Sequence, residues 1–420
     1  MMQINHTEAV RNTVAYVGTY PPKECGIATF TMDAVNCTDL AGWKSYVIAV
    51  DDPEHLDRYD DSKVLMTIDK QNLADYIRAA RLLEEHNIDV LAIQHEYGIY
   101  GGDDGEHIVE LARAAKIPVT VTLHTVLPDP TPSQRRIIKD LEKYASALIV
   151  MAKTAVDILK TAYGVSSGKI HVIPHGAPFI PFRADKSAKA QFGLQGRHVI
   201  STFGLISPNK GIEDAIAAMP EVVAKDPTAL YLVLGQTHPT IKRREGEWYR
   251  DQLIAQVNEL GLNDHVRFVD KYLSLQELVD YLIATDVYIT PYYANPNQIT
   301  SGTLAYAITA GKVIISTPYL YAKELLAEGR GFLYPFRDVK ELARITGNVL
   351  TDSSLFETTR RKAYAYGSMM TWPQVGIKYT RLYTGLTKVR WNSRAERETQ
   401  DILSMYERET NIEPLAVVAA

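Results

Sequence analysis

The segment NQITSGTLAYAITAGKVIIST, residues 297–317, combines a short helix with the apolar strand that follows it. The small polar triplet Ser301-Gly302-Thr303 opens the predicted helix, and Gly311 ends it. The first amides of a helix have no intrahelical partner and can bind an anion, so we expect this triplet to hold a diphosphate. The alternative, plain N-capping by Ser301 or Thr300, explains the hydroxyl groups but not the long, proline-bounded stretch before them.

The same alternation of strand and helix extends from Thr13 to about Leu350, which is typical of βα units around a largely parallel sheet. The predicted fold class is therefore α/β. Strands are predicted at Thr13–Gly18, Ser45–Val50, Asp89–Gln94, Val119–Leu123, Ala147–Val150, Ile170–Ile173, His198–Phe203, Ala229–Leu234, Val266–Val269, Asp286–Thr290 and Val313–Ser316. Helices of the first half are predicted at Asn72–His86, Asp104–Ala115, Ser133–Tyr144 and Lys153–Tyr163.

A proline-rich stretch, PHGAPFIP at residues 174–181, interrupts both periodicities and predicts a domain boundary. A chain of 420 residues also exceeds what one hydrophobic core usually supports. We therefore predict a first domain at 1–180, a second at 181–372, and C-terminal helices at 373–420 that cross back to the first. The mixed charges of Arg394–Glu409 favour a solvated helix.

The composition restricts the location and the partners of the chain. Forty-five Lys and Arg against 50 Asp and Glu give a net charge of −5, which provides no overall attraction for nucleic acid. Two cysteines, Cys25 and Cys37, are too few for a disulfide framework and favour a reducing compartment. The polar N-terminus and the lack of ~18 consecutive apolar residues argue against secretion and membrane spanning. We expect a cytoplasmic protein, with peripheral membrane contact left open and the oligomeric state undetermined.

One loop of the first half has groups that suit a neutral ligand. Ligands of parallel sheets bind beyond the carboxyl ends of the strands, and Glu96, Gly101-Gly102 and Asp103 follow one such strand. The glycines do not fit GxGxxG, and the adjacent aspartates Asp103-Asp104 would repel a pyrophosphate. We expect this loop to bind the hydroxyl groups of a sugar or polyol acceptor, with a simple glycine loop capped by Asp103 as the alternative.

Two further positions of the first half are candidates. His124 follows the strand Val119–Leu123 and is expected to face the site, although lone histidines are more often structural. Gly26 opens the helix after the first strand, where its amide can bind an anion or a sugar hydroxyl; an ordinary helix start is equally compatible. No His, Cys or carboxylate cluster has zinc-ligand spacing, and Asp51-Asp52 has no partner that suggests a metal. We expect no metal.

The second half contributes a candidate cation. The stretch FGLISPNKG, Phe203–Gly211, follows a predicted strand and leads into a helix. Its lysine, Lys210, can direct its charge at a phosphate. The alternative is a solvated surface lysine.

Together, Gly204–Gly211, the helix opened by Ser301-Gly302-Thr303, and Pro174-His175-Gly176 resemble the retaining family 4 (group 1) glycosyltransferases over residues 13–385. The resemblance implies a GT-B architecture, in which two Rossmann-like domains with parallel sheets face each other across a cleft. It implies that the second domain binds a nucleotide sugar of the UDP or GDP type, and that no metal or cofactor is needed. The segment from Trp372 to Tyr383 resembles the helix that crosses back to the first domain.

The resemblance also carries over three individual residues. Lys210 matches the lysine of the family pattern. His124 matches the histidine that lines the donor-sugar pocket in many members, and Gly26 matches the glycine of the first-domain loop.

Three positions depart from the family. Leu205 stands where an arginine usually follows the first glycine of the donor loop, and Gln298 and Tyr306 replace the two glutamates of the Glu-seven residues-Glu signature. The second phosphate-binding cation and the ribose-binding carboxylate are therefore expected to be missing or relocated. We expect Gln298 to reach the hexose and Tyr306 the ribose.

These observations favour a transferase that moves a hexose from a nucleoside diphosphate sugar to a sugar or polyol hydroxyl. Lys210 and the amides at 301–303 would stabilise the leaving diphosphate. His124, with Glu96 and the Gly101-Gly102 loop, would position the acceptor. Two alternatives remain. One is a nucleotide-sugar epimerase or hydrolase of GT-B fold, for which Glu96 and Asp103 are the only obvious acid/base groups. The other is a nucleotide-sugar-binding protein without turnover.

Overall fold

The computed structural model describes residues 12–56, 58–182, 186–293 and 297–387. These residues form two compact units. Unit 1 contains residues 12–176 and 372–387, and unit 2 contains residues 177–371, so the chain passes from one to the other at Gly176 and returns at Trp372. The helix predicted at Arg394–Glu409 and the rest of 388–420 lie outside the described residues.

Unit 1 is built on a parallel sheet of seven strands with the order β3-β2-β1-β4-β5-β6-β7. Its five inner strands consist largely of Val, Ile, Leu and Ala and are mostly buried on both faces, as expected of a parallel sheet covered by helices. The strands are β1 Thr13–Gly18, β2 Lys44–Asp51, β3 Val64–Asp69, β4 Val90–His95, β5 Val119–Leu123, β6 Ala147–Val150 and β7 Ile170–Val172. The helices are α1 Gly26–Leu40, α2 Leu73–Glu85, α3 His107–Ala114, α4 Pro132–Tyr144 and α5 Lys153–Tyr163.

Unit 2 repeats this architecture with a parallel sheet of six strands in the order β10-β9-β8-β11-β12-β13. Its apolar core lies between the sheet and helices that include α7, α9 and α13. The strands are β8 His198–Phe203, β9 Ala229–Leu234, β10 Val266–Val269, β11 Val287–Thr290, β12 Val313–Ser316 and β13 Phe332–Leu333. The helices are α6 Lys186–Gln191, α7 Ile212–Lys225, α8 Pro239–Glu245, α9 Trp248–Glu259, α10 Leu275–Ala284, α11 Gly302–Thr309, α12 Leu320–Leu325, α13 Val339–Thr351 and α14 Ser353–Gly367.

The α/β class and the predicted strands are confirmed, and two edge strands escape prediction. β3 is an edge strand in which only Ile68 is fully buried, so it lacks the continuous apolar run that marks the other strands. β13 is only two residues long. No helix in the described ranges is long and apolar enough to cross a membrane.

The last described helix, α15 Trp372–Thr387, packs on α1 in unit 1, although all of unit 2 separates the two in sequence. The fully buried Tyr383 donates to the hydroxyl oxygen of Tyr16 at 3.3 Å. The two helices approach so closely at Gly376 that an added Cβ would overlap the carbonyl group of Cys37. This contact requires glycine.

We predict that Gly376→Ala lowers the free energy of unfolding of unit 1 by about 1–3 kcal/mol, because the added methyl group forces α15 away from α1. The matched control is Gly385→Ala in the same helix, where an added Cβ meets no atom within 4 Å. It should raise the free energy of unfolding by about 0.5–1 kcal/mol through helix propensity. Urea denaturation measures both. Equal effects of the two substitutions would contradict the close packing.

Candidate active site

The carboxyl edge of the unit 2 sheet brings three backbone segments into contact. Gly204, directly after β8, has φ 130°, and a Cβ added there would lie 3.6 Å from Cγ2 of Thr303 on α11. Gly235, directly after β9, has φ 137°, and an added Cβ would overlap the carbonyl oxygen of Gly204. Both glycines have a positive φ that other residues rarely adopt, and at Gly235 the close approach excludes a Cβ as well. The predicted donor loop and the predicted phosphate-binding helix are therefore neighbours.

Lys210 is held at this edge by the residues around it. It ends a short 3-10 turn, and Gly211 follows with φ 64°. A Cβ on Gly211 would overlap the carbonyl oxygen of Pro291, so this turn packs directly on the loop after β11. The Nζ of Lys210 lies 4.0 Å from the ring centroid of Tyr292 in that loop. The lysine is half-buried and packs on an aromatic ring, so it is not a freely solvated surface residue.

The first turn of α11 combines a side-chain cap with open amides. Oγ of Ser301 accepts the N–H of Leu304 at 3.3 Å, so the N-capping alternative is observed for that amide. The amides of Gly302 and Thr303 precede it and have no intrahelical acceptor. The hydroxyl of Thr303 lies 3.1 Å from Oγ of Ser301 and 3.2 Å from the hydroxyl of Tyr292. Tyr292 therefore contacts both the cation and the helix N-terminus.

The two positions that depart from the family signature flank this turn. Gln298 lies before α11, and its Nε2 donates to the carbonyl oxygen of Thr300 at 2.7 Å. Tyr306 lies one turn into the helix with 8% of its surface exposed, and its ring centroid is 6.2 Å from that of Phe203 on β8. Contact of Gln298 with a hexose and of Tyr306 with a ribose stays a prediction.

Three residues of this edge were not among the sequence candidates. Tyr292 and His238 follow β11 and β9, where the strand-end rule could have found them. The backbone N–H of His238 donates to the carbonyl oxygen of Ile206 at 2.9 Å. Burial of the imidazole, together with the charge of Lys210, lowers the pKa of His238. Arg250 on α9 donates to the carbonyl oxygen of Gly235 at 2.9 Å and pairs with a carboxylate of the next loop. Nothing in the sequence marks that arginine.

In unit 1, Gly26 opens a helix with free space around it. Gly26 is the exposed first residue of α1, and an added Cβ would meet nothing within 4 Å. Sγ of Cys25 caps the helix by accepting the N–H of Ala28 at 3.3 Å. The amide of Gly26 precedes the capped one, which leaves it available to a ligand.

The loop after β4 separates Glu96 from the other predicted acceptor residues. A carboxylate oxygen of Glu96 accepts a hydrogen bond from the hydroxyl of Thr125, the residue after His124, at 2.6 Å. Burial raises the pKa of Glu96. A Cβ on Gly101 would overlap the carbonyl oxygen of Lys70, so this glycine is explained by packing. Gly102 has φ 77°, and exposed Asp103 begins a short 3-10 turn.

His124 is a buried, neutral group at the end of β5. Its Nε2 lies within hydrogen-bond distance, 3.0 Å, of Oε1 of Gln94. Its ring meets Phe30 edge-on at 4.7 Å. Burial, with smaller contributions from His175 and His95, lowers its pKa to about 3. At neutral pH it can form hydrogen bonds but cannot neutralise a phosphate.

One group of possible metal ligands occurs among the described residues, formed by Asp51, Asp52 and His55. Oδ1 of Asp51 bonds Lys23 at 2.8 Å and its Oδ2 bonds Arg58 at 2.6 Å, while Lys70 bonds Asp52. These acidic groups already have cationic partners, and we assign no metal to them.

Two family models match the chain in series. The model of Glycosyltransferase Family 4 matches residues 25–178, and that of the glycosyl transferases group 1 matches residues 185–367. D-inositol 3-phosphate glycosyltransferase of Rhodococcus jostii (strain RHA1) is 29% identical over 192 residues, which are 42% of this chain and 42% of the relative. The chain thus spans less than half of that relative. GDP-mannose-dependent alpha-(1-6)-phosphatidylinositol monomannoside mannosyltransferase of Mycolicibacterium smegmatis is 22% identical, over 66% of this chain and 70% of the relative.

Solved structures agree with the family models on the fold. Anabaena HepE in complex with UDP and glucose superimposes with a TM-score of 0.69 at 18% identity, covering 90% of this chain and 100% of that one. Sucrose-phosphate synthase from Thermosynechococcus elongatus gives a TM-score of 0.73 at 18% identity, covering 90% and 99%. At this identity the likeness establishes the GT-B fold alone.

The buried histidines of unit 1 predict a loss of stability in weak acid. Burial lowers the pKa of His95 to about 4, and that of His124 falls to about 3, against an ordinary value near 6.5. The unfolded chain binds protons below pH ~6.5 that the folded chain excludes. The free energy of unfolding should therefore be independent of these groups above pH ~7, and fall as the pH drops from ~6.5 toward 4. Each histidine adds a slope of up to about 1.4 kcal/mol per pH unit.

Urea denaturation at pH 7.5, 6.5 and 5.5 measures this slope, and His95→Leu should reduce it by about one histidine's share. The control, His55→Gln, removes an exposed histidine, and the difference in slope between the two variants isolates the contribution of burial. A His95→Leu protein with the wild-type slope would show that His95 protonates in the folded state.

Proposed function

We propose that this chain, which belongs to the group 1 glycosyltransferases of family 4, transfers a hexosyl group from a nucleoside diphosphate sugar to a hydroxyl of a sugar or polyol. The family membership rests on the two models that match residues 25–178 and 185–367. A UDP or GDP sugar is the proposed donor. It is supported by a structural neighbour solved with UDP and glucose and by a relative named as GDP-mannose-dependent.

The observation that carries the proposal is the contact of Tyr292 with both Lys210 and the first turn of α11. A positive charge and open helix amides beside one another suit a diphosphate, whose negative charge increases as the glycosidic bond to it breaks. Thr303 lies on the same turn, with its hydroxyl 3.2 Å from that of Tyr292. We assign donor binding to Gly204, Lys210 and Ser301-Gly302-Thr303.

The proposed reaction balances without a further reactant. The acceptor oxygen bonds to the anomeric carbon, the bond from that carbon to the diphosphate oxygen breaks, and the electron pair leaves on the diphosphate. On a retaining course the acceptor attacks from the face that the diphosphate leaves, so the departing oxygen takes the hydroxyl proton. Lys210 and the α11 amides stabilise the leaving charge, and we propose that no metal takes this role.

Gln298 and Tyr306 define how this donor site would differ from the family pattern. The amide of Gln298 can donate to and accept from hexose hydroxyls, but it has no carboxylate to form a covalent glycosyl intermediate. Tyr306 offers one hydroxyl where a glutamate would accept two hydrogen bonds from a ribose. We therefore propose weaker or differently shaped ribose recognition.

Unit 1 is proposed to bind the acceptor and the transferred sugar. Neutral His124, the carboxyl group of Glu96 and the open amide of Gly26 supply hydrogen-bond donors and acceptors. Hydroxyl groups match such donors and acceptors. Two relatives are named for acceptors that contain inositol, which supports a polyol. Two free cysteines agree with a cytoplasmic location.

The epimerase or hydrolase alternative differs from a transferase in whether the release of nucleoside diphosphate needs an acceptor. An enzyme of that kind would release nucleoside diphosphate from the donor without an acceptor. A transferase releases nucleoside diphosphate at its full rate only when a sugar or polyol acceptor is present. Product analysis with and without an acceptor panel separates the two.

We predict that Lys210→Ala lowers the turnover number by about 100-fold or more, because the leaving diphosphate loses its matched cation. Lys210→Arg keeps the charge and should retain part of the activity. The matched control is Lys271→Ala, which removes an exposed lysine paired with Glu277 and should leave turnover unchanged. Steady-state rates of nucleoside diphosphate release measure all three. A Lys210→Ala enzyme with near-normal turnover would contradict the proposed role.

A further inference from the structure

Tyr292 is a buried side chain that is fixed on several sides. Only 4% of its surface is exposed. Its ring stacks on Tyr319 with centroids 5.8 Å apart and planes 16° apart, and its hydroxyl lies 3.2 Å from Oγ1 of Thr303. Its carbonyl oxygen accepts the hydroxyl of Thr317. With the ring, the hydroxyl and the backbone all engaged, Tyr292 has little freedom to move.

The fixed ring determines where the charge of Lys210 lies. A lysine side chain has four rotatable carbon–carbon bonds and loses considerable rotamer freedom when it is held in one place. The Nζ of Lys210 lies 4.0 Å from the Tyr292 centroid, within the range of a cation–π interaction. Tyr292 thus contacts the ammonium group through the face of its ring and the first turn of α11 through its hydroxyl.

The position of Lys210 is important for binding a diphosphate because its loop contains no other basic residue. Residues 204–211, GLISPNKG, contain Lys210 as their single basic residue, and Leu205 occupies the position where the family usually has an arginine. Electrostatic stabilisation works best when the charge is already oriented, since no reorganisation is then needed during the reaction. A single mobile lysine would supply less of it.

We propose that Tyr292 is a positioning residue for diphosphate binding: its ring holds Lys210, and its hydroxyl holds Thr303 at the first turn of α11. The inference rests on the proposed function, because it assumes that Lys210 and this turn bind a diphosphate. Tyr292 acts through these two groups and need not touch the ligand itself. A tyrosine that only filled the core would support the fold without being coupled to Lys210.

A double-mutant cycle separates positioning from packing. Calorimetric titration with UDP and with GDP gives the affinity of the wild type, Tyr292→Leu, Lys210→Ala and the double variant. Tyr292→Leu should weaken binding by about 2- to 30-fold, the range of one cation–π contact. In the Lys210→Ala background the same substitution should weaken binding by a smaller factor than in the wild type, because the part of its effect that passes through the lysine is already lost. Tyr292→Phe, which keeps the ring, should retain most of the affinity.

The control is Tyr366→Leu on α14, which removes another cation–π tyrosine of unit 2, 4.3 Å from Arg330, and should leave affinity unchanged. Urea midpoints verify that each variant is folded, and Tyr292→Met replaces Tyr292→Leu in the cycle if the latter unfolds. Additive losses in the double variant, or wild-type affinity in Tyr292→Leu, would overturn the positioning role while leaving the proposed function intact. Failure of the wild type to bind either nucleotide would overturn the proposed function and this inference with it.

Discussion

Close backbone contact at the carboxyl edge of the unit 2 sheet is the constraint on which the candidate site depends. Gly235 lies against the carbonyl group of Gly204, and Gly211 lies against that of Pro291, in each case with a positive φ that glycine adopts without strain. These contacts bring the loops after β8, β9 and β11 together. They place Lys210 on the ring of Tyr292, whose hydroxyl contacts Thr303 at the first turn of α11.

The two units present different chemistry at their sheet edges. Unit 2 offers a cation and open helix amides around Lys210 and Thr303, a combination suited to an anion. Unit 1 offers His124, which burial keeps neutral, and Glu96, whose pKa burial raises. This contrast supports the proposal of a charged donor on unit 2 and a hydroxyl-rich acceptor on unit 1.

The sequence alone predicted the features that depend on neighbouring residues, namely the buried strands and the residues that follow strands or open helices. Buried parallel strands are continuous apolar runs, so β1 and β8 were predictable, whereas the half-buried edge strand β3 was not. Lys210 and Ser301-Gly302-Thr303 were identified because they follow strands or open helices.

Other features depend on contacts between segments that are distant in sequence. Tyr292 is a candidate only because its ring contacts Lys210, more than 80 residues earlier. In the same way, Arg250 is a candidate because it donates to the carbonyl oxygen of Gly235, in the loop after β9. The tight packing of Gly101 on Lys70 depends in the same way on a separate strand end, so the sequence alone could not separate a packing glycine from a binding one.

Hydrogen exchange measured by mass spectrometry, with and without saturating UDP or GDP, tests the central claim most directly. If unit 2 binds the diphosphate as described, the nucleotide should slow exchange in peptides covering residues 204–211 and 301–306, because the amides of the α11 first turn gain a phosphate acceptor. Peptides covering the loop at 95–103 should change little without an acceptor. Protection confined to unit 1, or bound nucleotide without slower exchange at 301–306, would contradict the account.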